Sequence, residues 1–126
     1  MKKAGYKELR VYQLAYELSL KIHKITKSYP YEERFSLTDQ IRRSSRSVCA
    51  NIGEGYRKRQ YPKNFAKKLS DSNGEATETQ IWLDYSKDLG YMTTEDYTEL
   101  YDKYESVGNM LGNMISSPEK FKPREQ

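Results

Sequence analysis

Apolar residues in this sequence recur at helical spacing, and proline and glycine cut that pattern into four pieces. Val11, Leu14, Ala15, Leu18, Ile22 and Ile25 lie three or four residues apart, which puts them on one face of an α-helix. This first segment spans about 7–28. Tyr29-Pro30 ends it, because proline disfavours the helical conformation in the residue before it. A second segment, about 37–59, gathers Leu37, Ile41, Ser45, Val48, Ile52 and Tyr56 within roughly 100° of the helix circumference. Ser36 or Thr38 is placed to cap it. Gly53 and Gly55 weaken it by about 1 kcal/mol each relative to alanine, and Tyr61-Pro62 closes it. The third, about 63–89, carries Phe65, Leu69, Ala76 and Leu83 on one side, with Gly90 as a left-handed stop. Its middle, SDSNGEATETQ, is poor in large apolar residues, which blurs the pattern there. The fourth, about 94–117, opens on Thr93 and Asp96, spaced as a capping box, and ends before Pro118. Its stripe is Tyr97, Leu100, Tyr101, Tyr104, Val107, Leu111, Met114 and Ile115.

No stretch alternates as a strand would, and no solenoid-type repeat is present. Four amphipathic helices with short links predict an all-α, antiparallel up-and-down four-helix bundle. It forms one domain over residues 1–117, and the polar tail 118–126 is expected to fray. A length of 126 residues suits a single modest core. No run is long and apolar enough to span a membrane. MKKAGYKELR has no apolar stretch behind its lysines, so it does not read as a secretory signal. The single cysteine, Cys49, excludes an internal disulfide, and a cytoplasmic setting is expected.

Catalytic chemistry finds little to work with. His23 is the only histidine, and its register beside Tyr16 and Leu20 marks a packing or surface residue. Cys49 sits mid-helix beside the core face and reads as a small buried filler. Gly53-Glu54-Gly55 lacks the spacing and strand-turn-helix setting of a phosphate loop. Glu54 and Glu78 have no second chemical group to support a carboxylate pair. The sequence therefore predicts no enzyme, no metal, no cofactor, no small-molecule substrate and no membrane partner.

Charge is more informative. Residues 1–68 hold 17 Lys and Arg against 6 Asp and Glu, a net of +11, while residues 69–126 carry −7. An acidic partner for the front half follows: nucleic acid, or the acidic half of another copy. Arg42, Arg43, Arg46, Arg57, Lys58, Arg59 and Lys63 are the candidate nucleic-acid contacts, followed by Lys67 and Lys68. Arginine pairs bidentately with phosphate, and the interleaved Tyr56 and Tyr61 can stack on unpaired bases. The competing expectation is a solvated basic face, or arginines paired with Asp71, Glu75 and Glu78 of a neighbouring helix or subunit, three acids that share a face of the third helix with Trp82. No zinc-finger or single-stranded RNA motif appears.

Three helices also hold more apolar surface than one core requires. Tyr12, Tyr16, Leu20 and His23 form a second stripe on the first, and Ile81, Trp82, Tyr85 and Leu89 one on the third. On the second, Ala50 lies among Arg43, Arg46 and Arg57, with Gly53 at the edge, where small residues would admit a neighbouring backbone. These features predict self-association through Tyr12, Tyr16, Ala50, Gly53, Glu54, Glu75, Glu78, Trp82 and Tyr85.

Three stretches carry a resemblance: YKELRVYQLAYEL, FSLTDQIRRSSRSVCANIGEGYRK and GEATETQIWLDYSKDLGYM. The middle one is the most specific, with Leu37, Gln40-Ile41-Arg42-Arg43, Ser47-Val48, Asn51-Ile52 and Glu54-Gly55 in register. Over about residues 6–115 the chain resembles small bacterial four-helix-bundle proteins first noted as reading frames in intervening sequences of large-subunit ribosomal RNA genes. Ser44, Ser45 and Gly53 stand where alanine is common in that family. The resemblance implies an antiparallel bundle assembled as a homopentameric ring, with no known enzymatic activity. A related fold occurs in the accessory protein of diversity-generating retroelements, a pentamer that binds nucleic acid and a reverse transcriptase. The resulting expectation is a non-enzymatic homo-oligomer with RNA or DNA as partner. The alternative is an interaction scaffold, or a reverse-transcriptase-type accessory protein, whose arginines serve subunit interfaces. A ring needs two different complementary patches, and oppositely charged halves can supply them.

Overall fold

Each break in the apolar pattern coincides with the end of a helix. The computed structural model describes residues 5–123; the remainder of the expected domain and tail lies outside the described residues. The helices are α1 (Arg10–Ile25), α2 (Leu37–Tyr56), α3 (Pro62–Asp88) and α4 (Thr94–Ser116). The expected first segment is longer than α1 because its two ends, Tyr6–Glu8 and Thr26–Ser28, wind into 3-10 turns. Pro62 occupies the first turn of α3, where its missing N–H leaves no helical bond unmade. Gly90 adopts φ +80°, and the Tyr91 N–H returns to the Ser86 carbonyl at 2.8 Å, closing α3 as the sequence predicts.

Each helix packs against its two neighbours: α1 on α2 and α4, and α3 on α2 and α4. The predicted stripes meet in the middle. Val11, Ala15, Leu18 and Ile22 face Ile41, Val48, Ile52, Phe65, Leu69, Leu83, Leu100, Val107 and Leu111, all buried. Burial of one such side chain contributes about 1.5–3 kcal/mol.

The polar middle of α3 continues the helix without interruption. Its small residues face α2 and bring the two axes together. Ser72 Oγ donates to the Val48 carbonyl at 2.8 Å, and the Ser44 and Thr79 hydroxyls lie 2.8 Å apart, all buried. At the far end of this seam is Gly55, where a Cβ would come within 2.9 Å of Lys68 Cβ.

Two expectations need correction. Neither Ser36 nor Thr38 caps α2. The Glu33 carboxylate does so, accepting the Leu37 N–H at 3.3 Å and the Ser36 hydroxyl at 2.6 Å. The Thr38 hydroxyl is instead buried with no partner among the described residues. A longer, charged acceptor at the end of the 3-10 turn Tyr31–Glu33 reaches the helix start before either hydroxyl does. At the other terminus, the tail does not fray from residue 118. Pro118–Phe121 forms a 3-10 turn, and the Phe121 ring rests 5.5 Å from that of Phe65, because one aromatic side chain gains enough by burial to hold the turn down. The Thr93–Asp96 cap forms as predicted, with the Asp96 N–H donating to Thr93 Oγ1 at 3.1 Å.

Substituting two helical glycines tests the seam. Gly55→Ala forces the α2–α3 contact apart and is expected to lower unfolding free energy by about 1–3 kcal/mol. Gly74→Ala, whose methyl meets nothing within 4 Å, is expected to raise it by about 1 kcal/mol through helix propensity. Urea denaturation of both variants checks this, and a stabilised Gly55→Ala would refute the close seam.

Candidate nucleic-acid interface

The outward side of α2 is built by helical spacing alone. With Val48 and Ile52 in the core, Arg43, Arg46, Ala50, Gly53 and Arg57 fall on the opposite side. The cations of this face have different surroundings. Arg42 lies against the end of α1: its Nε donates to Thr26 Oγ1 at 2.8 Å and its Nη2 to the His23 carbonyl at 3.3 Å. A guanidinium there also answers the partial negative charge of a helix C-terminus. Arg43 reaches across to α3, pairing with Glu78 and, at 3.5 Å, with Glu75. Glu78 also accepts the Trp82 indole N–H at 3.0 Å. The Arg–Glu pairing weighed in the sequence therefore forms within one chain, between α2 and α3. Glu54 is held by Lys68 at 2.8 Å, and Asp71 by Lys67 at 3.6 Å.

The remaining cations concentrate at the other end of α2. Arg57, Lys58 and Lys63 are exposed and have no ion-pair partner among the described residues. Arg59 lies over the Tyr56 ring, 4.1 Å from its centroid, and donates to the Tyr56 carbonyl at 3.1 Å. Tyr61 stands beside them, exposed. The five-residue link between α2 and α3 holds Arg57, Lys58, Arg59 and Tyr61, and Tyr56 and Lys63 flank it, so four cations and two tyrosines share one corner. Arg46, on the outward face of α2, also has no carboxylate partner among the described residues. Its Nη2 is 3.2 Å from His23 Nδ1. Arginine only donates, so Nδ1 accepts and the imidazole proton sits on Nε2. The Arg42 charge, foremost, depresses the His23 pKa, with burial and then Lys27 and Arg46 adding to it, which favours that neutral form.

Beside this face runs a groove of about 560 Å³ between α1 and α2. Tyr6, Tyr12 and Tyr16 form one wall, and Arg46, Ala50, Gly53 and Arg57 the other. The Tyr12 and Tyr16 rings lie nearly parallel, 6.0 Å apart at 19°, while Tyr6 meets Tyr12 edge-on at 4.9 Å. Gly53 faces the Tyr6 ring, 3.5 Å from where a Cβ would stand. The close approach expected there from a neighbouring backbone is made by this chain's own tyrosine. No spacing rule flags Tyr6, which lies before α1 in a 3-10 turn. Of the other candidate interface residues, Tyr85 is exposed beside Ile81 and Leu89, and Trp82 is half-buried against Glu78. Phe35, absent from the candidates, is the most exposed of the large apolar side chains and lines a hollow with Trp82, Tyr85 and Leu89.

Cys49 is buried, and burial pushes its thiol up to about 11 despite the nearby Ser19 hydroxyl. Glu54 and Glu78 each have a cation of their own. Among the described residues no three His, Cys, Asp or Glu side chains cluster as metal ligands, and no helix is long and apolar enough to cross a membrane.

Residues 7–113 match the family described as 23S rRNA-intervening sequence protein. The chain belongs to that family. A crystal structure of a protein of unknown function from the S23 ribosomal protein family of Bacteroides thetaiotaomicron superposes with a TM-score of 0.75 at 28% identity, covering 85% of this chain and 96% of that one. No curated protein matches the chain. The all-α four-helix bundle of this 23S rRNA-intervening sequence family member is therefore shared with a solved relative. Neither description states a biochemical activity.

The buried thiol has a direct readout. Near pH 8 its ionised fraction is about 100-fold below that of an ordinary thiol. A higher pKa makes the thiolate more nucleophilic and offsets about tenfold of this, so disulfide-exchange reagents are expected to react with Cys49 at least about tenfold more slowly in the native protein than in urea. Equal rates in the two states would contradict its burial.

Proposed function

We propose that this protein is a non-enzymatic, self-associating helical bundle that grips RNA or DNA through the basic corner between α2 and α3. One observation carries the reading: of the cations in residues 42–68, those left without a carboxylate or helix-end partner are Arg57, Lys58, Arg59 and Lys63 around the α2–α3 link, with Arg46 further along α2. Arg42 and Arg43 hold α2 to α1 and α3 in this reading rather than meeting phosphate. Four cations within seven residues, with Tyr61 among them and Tyr56 beside them, suit a flexible polyanion better than a compact carboxylate ligand.

Self-association is supported by Ile81, Tyr85 and Leu89, each about half exposed, together with Phe35 at 80%. A second copy covering this patch removes it from water. Five subunits is the number the family resemblance implies.

A scaffold without nucleic acid is the second reading, favoured by the intrachain use of Arg42 and Arg43. Salt separates the two. For a single strand held by one subunit through four phosphate contacts, log affinity is expected to fall with log salt at a slope of about −3, or about −0.7 per contact. The double variant Lys58→Ala, Lys63→Ala should reduce that slope by about 1.4. Absence of binding even at low salt would leave the scaffold. Light scattering that finds a monomer at micromolar concentration would remove self-association from either reading.

A further inference from the structure

We propose that the groove between α1 and α2 is a stacking site for unpaired bases, so that the protein takes single strands in preference to duplexes. The inference rests on the nucleic-acid reading above and adds a base site to its phosphate contacts.

Arg46 and Arg57 stand at the two ends of this groove. They are eleven residues apart on α2, about 16 Å along the axis and within roughly 20° around it. Between them the α2 wall is low, because Ala50 carries only a methyl group. The α1 wall opposite is aromatic, with Tyr12 and Tyr16 nearly parallel and Tyr16 48% exposed. A groove of about 560 Å³ lies within the roughly 300–1,000 Å³ of small-ligand sites. Its chemistry is therefore cation, aromatic slot, cation, with the one lining carboxylate, Glu54, neutralised by Lys68 at 2.8 Å. A strand laid along α2 sets phosphates on the arginines and turns the intervening bases onto the tyrosine rings. Base stacking on aromatic side chains tolerates any sequence, since every base has a π-face. Duplex bases are already stacked and paired, so a duplex meets only the arginines.

The charges favour a strand over an apolar subunit face as occupant. Neither Arg46 nor Arg57 has a carboxylate among the described residues. An apolar cover would bury two unanswered guanidinium groups, an arrangement with a large desolvation penalty. Phosphates answer both, and the Phe35, Tyr85 and Leu89 patch stays available for assembly.

The test uses fluorescence anisotropy on the full chain at fixed salt with three labelled probes: a 12-mer of thymidines, an abasic 12-mer with the same phosphates, and a 12-base-pair duplex. The wild type is expected to bind the thymidine strand about tenfold or more tightly than the abasic strand. Tyr16→Ala should close that gap to about twofold with the salt slope unchanged, and Tyr16→Trp should keep it. Ala50→Trp, which fills the slot from the α2 side, should abolish the preference without weakening abasic binding. Circular dichroism confirms that each variant is folded. Equal, salt-dependent binding of thymidine and abasic strands by the wild type overturns the base site and leaves the phosphate reading standing. No binding of any probe overturns both. A fall in assembly mass on Tyr16→Ala, read by light scattering, identifies the groove as a subunit contact and also overturns the proposal.

Discussion

The close seam between α2 and α3 is the contact on which the rest of the architecture depends. Two helices approach when the residues between them are small, and here those residues are also polar and satisfied. Ser72 bonds to the Val48 carbonyl, Ser44 meets Thr79, and Gly55 leaves room for Lys68. Buried hydroxyls that find partners specify one register, because sliding either helix would strand them. Ser44 and Ser45 are both buried beside this seam. Ser44 bonds across the seam, whereas Ser45 donates to the Arg42 carbonyl of its own helix.

Seam geometry also sorts the charges. With α2 and α3 this close, Arg43 lies within reach of Glu75 and Glu78 and pairs with both. Arg42 is drawn to the end of α1 in the same way. Near the C-terminal end of α2, Glu54 is already held by Lys68. The chain turns there, and its cations point away from the bundle. The basic character that the sequence spreads over residues 42–68 is thereby focused on one corner, with Arg46 as an outlier beyond the tyrosine groove.

Much of the fold was legible because it follows from periodicity. The stripes, the proline and glycine stops and the Thr93 cap are all local, and local geometry decides them. The errors have a common origin in contacts between residues distant in sequence or reach. Glu33 outcompetes Ser36 for the start of α2, Phe121 pins the tail to Phe65, and Tyr6 covers Gly53. The polar run SDSNGEATETQ in α3 does not register in the periodicity of large apolar residues. Its small side chains are what the α2 contact requires.

By itself, the sequence determined four amphipathic helices, their order, the identity of the core stripes and the opposed charge of its two halves, since these depend only on residue type and spacing along one chain. Tertiary structure alone decided which arginines are tied to partners and which remain open. A guanidinium's role depends on what lies within about 3–4 Å of it in space, and for Arg43 that means carboxylates more than thirty positions away. It likewise decided that three tyrosines and two arginines share one groove, because only helix packing sets the α1 wall against the α2 wall.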